Sequence, residues 1–188
     1  MRFAAAMFVF ALAAPAHAAK PVPAMDSALH AYVIGRYAAI DNEVALAARL
    51  FEEARAASPA PASVTRRAWE LAIIGGDQQR GFQLARSLAA SGAGDAEINM
   101  TRLAEAVIRR DWPLAVRLRQ SLGDQGWPQV AGPVIDAWLA AARGDAPAAL
   151  LLLDPQRHQG FMRAYVAEQR AHLLASLSRW DEAAAAYR

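Results

Sequence analysis

Acid–base or metal chemistry in this chain would have to come from its histidines and from two adjacent carboxylate pairs, Glu52-Glu53 and Asp181-Glu182. A metal needs imidazoles at short, helix-face or loop-end spacing, and His30, His158 and His172 are not spaced that way. The carboxylate pairs fall where helix surfaces are expected, which leaves them solvated or capping. No cysteine is present to act as a nucleophile or to form a disulfide. There is also no G-x-S-x-G turn, no G-x-x-x-x-G-K loop and no H-E-x-x-H helix. We therefore expect no enzyme activity, no metal and no cofactor. Arg66-Arg67 and Arg109-Arg110 are ordinary helix-face charges, and a net charge of +2 is too small for an electrostatic nucleic-acid binder.

The elements that position these residues are set by a phase that repeats every 34 residues. A loop position recurs at Asn42, Gly76, Arg110, Gly144 and Ser178, and five places later a small residue follows, at Ala47, Gly81, Ala115, Ala149 and Ala183. That period is the length of one helix-turn-helix unit. With 55% apolar and 20% charged residues the chain is globular in composition, and its alanine content favours helix and close helix approach. No segment alternates β-branched residues, so no sheet is expected.

Laid out from the phase, the repeats run from Ala28 to Pro61, Ala62 to Asp95, Ala96 to Gln129 and Val130 to Arg163, with a fifth from Ala164. Asp77, Asp111 and Asp145 follow the loop column, where a carboxylate caps the next helix and suits its positive end. Pro113 and Pro147 fall in the first turn, where a proline costs no hydrogen bond. Breaker clusters separate the repeats: Ser58-Pro59-Ala60-Pro61, Ser91-Gly92-Ala93-Gly94, Gly123 to Pro128, and Asp154 to Gly160. In the fourth repeat Leu150 to Leu153 runs straight into Asp154-Pro155, which limits its second helix to about nine residues.

The first repeat resembles a tetratricopeptide repeat in Ile34-Gly35, Ala47, Phe51, Ala54 and Pro59. The fifth resembles it in Arg170 to Leu174 and in Ser178-Arg179-Trp180-Asp181-Glu182-Ala183, with Tyr187 in the place of Phe51. The wider pattern, including Gly35-Arg36-Tyr37-Ala38 and Asn42-Glu43, is similar to exported tetratricopeptide proteins of alphaproteobacteria. The resemblance implies an all-α, right-handed α-solenoid of stacked helix-turn-helix hairpins, with the small residues at helix crossings and the aromatic between hairpins. Two columns depart from the pattern. Trp69 and Leu103 stand in the column of Gly35, so those helices are expected to cross further apart. Ala85 and Arg119 stand in the column of Phe51, which reduces the filling between hairpins. Trp112 and Trp180 share a column and are expected to support the turn.

The N-terminus reads as an export signal over residues 1–18. Arg2 precedes an apolar run from Phe3 to Ala14, and Ala16-His17-Ala18 is a small-x-small cleavage site. The run is shorter than the roughly 20 residues that span a bilayer, so cleavage and a periplasmic or otherwise extracytoplasmic location are expected, without stable membrane insertion. Residues 19–27 form a flexible lead-in and 28–188 the solenoid, about four and a half repeats. The chain stops inside the fifth repeat's second helix, so a continuation is expected there. Ala183, Ala184 and Tyr187 would then face solvent and offer a route to self-association.

What remains is a surface. In the family the first helix of each hairpin lines a concave groove, and moving along each helix from the small-residue column selects Tyr32, Arg36, Arg66, Glu70, Met100, Trp138, Tyr165, Glu168 and His172. Aromatic, methionine and arginine side chains are the types enriched at binding hot spots. Met100 and its column neighbour Val134 serve equally well as packing residues. The expected function is a non-enzymatic scaffold of the cell envelope that holds a peptide segment or partner protein along this groove. The alternative is the helical arm of a larger envelope enzyme whose catalytic part lies beyond residue 188.

Overall fold

The computed structural model describes residues 24–56 and 61–187. Their regular structure is helical: α1 (Ala24–Ile40), α2 (Val44–Ala56), α3 (Ala62–Ile74), α4 (Gln78–Ala90), α5 (Ala96–Ile108), α6 (Trp112–Ser121), α7 (Trp127–Ala142), α8 (Ala146–Leu152), α9 (Phe161–Ser176) and α10 (Trp180–Ala186). A 3-10 turn, Pro155–Arg157, follows α8. Helices pack mainly on their neighbours in the chain, giving five consecutive hairpins from α1–α2 to α9–α10; α9 reaches past the short α8 to α7 and the 3-10 turn. The described chain is thus all-α and repeat-like. No helix in it is long and apolar enough to cross a membrane. The signal segment, the lead-in as far as residue 23 and the breaker Ser58-Pro59-Ala60 lie outside the described residues. α1 begins at Ala24, inside the segment expected to be flexible.

One backbone device makes all five turns. Asn42, Gly76, Arg110, Gly144 and Ser178 all have positive φ, between 57° and 87°. The next residue's N–H then reaches back to a carbonyl near the end of the first helix: Glu43 to Ala38, Asp77 to Ala72, Asp111 to Ala106, Asp145 to Ala140 and Arg179 to Leu174, at 2.8–3.0 Å. This is the Schellman closure, in which a left-handed residue lets an otherwise orphaned carbonyl find a donor. In three turns the same residue also starts the second helix. The carboxylates of Asp77, Asp111 and Asp145 accept from the N–H of Arg80, Leu114 and Ala148 at 3.0–3.1 Å. One aspartate thereby ends one helix and caps the next, which fixes a hairpin with a very short connection.

Packing follows the same columns. The small residues Ala47, Ala115, Ala149 and Ala183 are buried at the helix crossings. In the second hairpin the column holds Gly81, and the Ile73 side chain fills its space: a Cβ on Gly81 would lie 2.5 Å from Ile73 Cδ1. The acceptors of the closing bonds, Ala38, Ala72, Ala106, Ala140 and Leu174, are buried too. Buried apolar residues form three clusters along the stack, centred on Phe51 and Leu88, on Leu103 and Leu118, and on Leu153 and Leu173.

Four details differ from the sequence expectation. Ala183 is buried against the last cluster instead of facing solvent, because it occupies the crossing column; Tyr187 is exposed as expected. Trp112 packs partly against the middle cluster while Trp180 is exposed, so their shared column does not give them a shared role. α8 is seven residues long, shorter than expected, because Asp154 starts the 3-10 turn by accepting from the Gln156 N–H at 3.0 Å. Arg119, in the aromatic column, fills its position: it is buried.

Candidate functional site: the first-helix face

A hollow of about 590 Å³ opens between α3, α5 and the start of α7. Glu70, Ile73 and Ile74 from the end of α3 form one wall, Glu97 and Met100 from α5 another, and Trp127 closes the far side. Its floor is Trp69, which is only 7% exposed. The wall is apolar for a local reason. α3 ends in two isoleucines before its left-handed turn residue, and Ile40, Ile74 and Ile108 recur at the last position of α1, α3 and α5, all exposed.

Electrostatics around the hollow are settled within the protein. Arg66 pairs with Asp95 and with Glu97, the latter at 3.6 Å, and its guanidinium carbon lies 5.8 Å from the centre of the Trp69 ring, within cation–π range. Glu70 accepts from Arg67 at 2.7 Å. Burial alone would raise Asp95, but the N–H of Ile98 and the Arg66 guanidinium outweigh it and hold the carboxyl below the usual aspartate range. Among the described residues one polar atom here is left without a partner: the buried Nε1–H of Trp69. A buried donor left unsatisfied is costly.

The predicted residues do not converge on one site. Glu70 and Met100 meet in the hollow, and Arg66 does not line it but pairs with Glu97, which does. Tyr32 turns inward and packs edge-on against Phe51, with ring centroids 5.6 Å apart. Arg36 stands exposed in a shallow pocket of about 300 Å³ with Tyr32, Val33, Tyr37 and Ile40. Val134 is buried, so in its case packing is the outcome. Trp138 is 37% exposed, its Nε1–H 3.5 Å from Gln169 Oε1, and it does not line the hollow. Tyr165 packs against the last cluster. Glu168 and His172 are exposed on α9, 3.8 Å apart, with the Tyr187 hydroxyl 3.0 Å from His172 Nδ1.

The sequence reading passes over Trp69, Ile73, Ile74, Glu97 and Trp127. Trp69 reads as a spacer in a small-residue column, and Trp127 sits in a breaker cluster. The recurring isoleucine at the end of the first helices was the available signal, since an apolar residue beside a polar turn has no packing partner in a lone hairpin. Comparison with family models, with curated proteins and with solved structures finds no match. Chemically, the hollow offers apolar walls and two flanking carboxylates, each paired with an arginine. Among the described residues no three His, Cys, Asp or Glu side chains are grouped to hold a metal ion.

Proposed function

We propose that the chain is an exported, non-enzymatic scaffold of the tetratricopeptide type, a right-handed solenoid whose first-helix face holds an extended segment of a partner protein. The observation that carries this reading is the hollow over Trp69, apolar-walled and open to solvent between α3, α5 and the start of α7. An extended segment would place one apolar side chain between Ile73, Met100 and Trp127. Glu70 and Glu97 at the rim are already paired with Arg67 and Arg66, so selection rests on the apolar side chain.

Selection of peptides from a random display library tests the reading. Peptides enriched on the wild type should share an apolar residue and should lose binding to Met100→Glu, whose helicity is checked by circular dichroism. No enrichment, or equal binding to Met100→Glu, would remove the proposal.

A further inference from the structure

A second hollow, of about 690 Å³, lies between α2, α3 and the start of α4, and shares no lining residue with the one over Trp69. Its apolar lining is short: Val44, Ala45 and Ala48 on α2, and Ala68, Leu71 and Ala72 on α3. The 34-residue phase shows what is missing. At the later joints between hairpins the columns of Ala48 and Ala68 hold Phe82 and Arg102, Val116 and Asp136, and Leu150 and Arg170. Only between the first and second hairpins are both positions alanine, and there the space stays open. Charge along the lining is uneven. Arg80 of α4 pairs with Glu52 of α2, and Arg55 pairs with the same carboxylate at 3.1 Å, so two guanidiniums share one negative charge. Arg49, with its side chain 68% exposed, has among the described residues only a 3.9 Å contact to the exposed Glu53, a pair worth little. The other carboxylate on the lining, Asp77, is committed to the cap of α4.

We propose that this hollow binds a medium-chain fatty acid, with the hydrocarbon on the alanines and the carboxylate at the arginines. The lining decides the chain. Its floor carries no side-chain donor or acceptor, and the backbones of α2 and α3 are bonded within their own helices. The N–H and C=O groups of a peptide would lie there unpaired, at a cost, whereas a hydrocarbon chain has none to lose. From Val44 to Glu52 the lining follows about 12 Å of helix, which limits the chain to medium length, and the volume falls within the roughly 300–1,000 Å³ of ligand sites. The charges decide the head group. A carboxylate at the rim meets the loosely paired Arg49 and the surplus charge at Arg80, charge-assisted contacts stronger than neutral ones. A cationic head meets the same two arginines with the wrong sign. This reading is independent of the peptide-binding one, since the two hollows have no residue in common.

The test is a titration of the full chain with decanoate, decanol and decyltrimethylammonium, followed by the NMR methyl signals of Ala48, Ala72 and Met100. Decanoate should move Ala48 and Ala72 and leave Met100, which marks the other hollow, in place. Decanol should bind about tenfold more weakly, and decyltrimethylammonium more weakly again. Ala48→Phe, which puts the side chain of the Phe82 position into the open space, should abolish the shift at Ala72 with circular dichroism unchanged. Arg49→Gln should weaken decanoate about threefold and leave decanol as it was, a readout that stands even where Ala48→Phe fails to fold. No movement of Ala48 and Ala72 below the concentration at which decanoate forms micelles overturns the proposal. So does an alcohol or cation that binds as tightly as the acid, decanoate that binds either variant as it binds the wild type, or movement of Met100 in place of the two alanines.

Discussion

Arg119 and Gly132 are fitted to each other: a Cβ on Gly132 would lie 2.2 Å from Arg119 Nη2, so α7 passes the buried guanidinium at a distance that leaves room for glycine alone. The guanidinium cannot swing aside freely, since Gly123, Asp124 and Asp136 hold it. Gly132→Ala should therefore cost about 1–3 kcal/mol, as overpacking of a filled site does. Arg119→Met should also cost about 1–3 kcal/mol, because it leaves the Gly123 carbonyl and the Asp136 carboxylate without their donor. In the double variant the penalty at Gly132 should largely vanish, an interaction term that chemical denaturation of the four proteins reads directly. Strict additivity would mean that the two residues are not in contact.

The turn column makes a second prediction. A non-glycine residue in the left-handed region is strained by roughly 1–2 kcal/mol, and Arg110 holds φ at 57° without the local side-chain bonding that helps asparagine. Arg110→Gly should stabilise by up to about 1 kcal/mol after the extra freedom of the unfolded chain is subtracted. Gly144→Ala should destabilise by about 1 kcal/mol, since its φ of 87° asks an alanine for the same strain. Thermal melting of both variants checks the opposite signs.

That turn shows why the architecture was legible in the sequence. Glycine and asparagine at a helix end are recognisable one at a time, but Arg110 and Ser178 are not; only their 34-residue phase with Gly76 and Gly144 marks them as left-handed. The capping aspartates were legible for the same reason, being tied to a backbone requirement. Side-chain sites follow no such rule. Arg119 reads as a gap in an apolar column until Gly132, Asp124 and Asp136 are seen to surround it, and those partners lie in a breaker cluster and on the next helix. The hollow was half legible. Glu70 and Met100 are found from helix phase, whereas Trp69 and Trp127 are brought there by how successive hairpins stack.

Two aspartates should give the stability opposite pH dependences. Asp95 is lowered on folding, so its contribution is present above the unfolded value of about 3.9 and is lost as pH falls through the lower folded value. Asp136 is raised on folding, so its contribution is present below that unfolded value and is lost as pH rises through the higher folded one. Asp95→Asn should flatten the loss of amide protection in the first turn of α5 on acidification, since Asp95 caps that helix through Ile98. Asp136→Asn should flatten the opposite slope above about pH 4. Hydrogen exchange and denaturation across that range separate the two.

The three first-helix tryptophans should behave differently when truncated. Trp69→Ala removes a buried ring from the first cluster and should cost about 3–5 kcal/mol. Trp138→Ala and Trp127→Ala remove partly exposed rings and should each cost about 1 kcal/mol. Of the two, only Trp127→Ala should weaken peptides selected on the hollow, by about 2 kcal/mol if it is an anchor. A large loss of stability in Trp138→Ala would place that ring in the packing between hairpins.

The central claim is that partners are held on the first-helix face, and the most direct measurement is site-specific photo-crosslinking in the native host. A photoreactive residue at Met100 faces the hollow, and one at Arg117, exposed on the second helix α6, serves as the control. The account predicts a discrete adduct from Met100 that disappears when Trp127→Ala is added, and none from Arg117. Adducts of equal yield from both positions, or none from Met100, would contradict it.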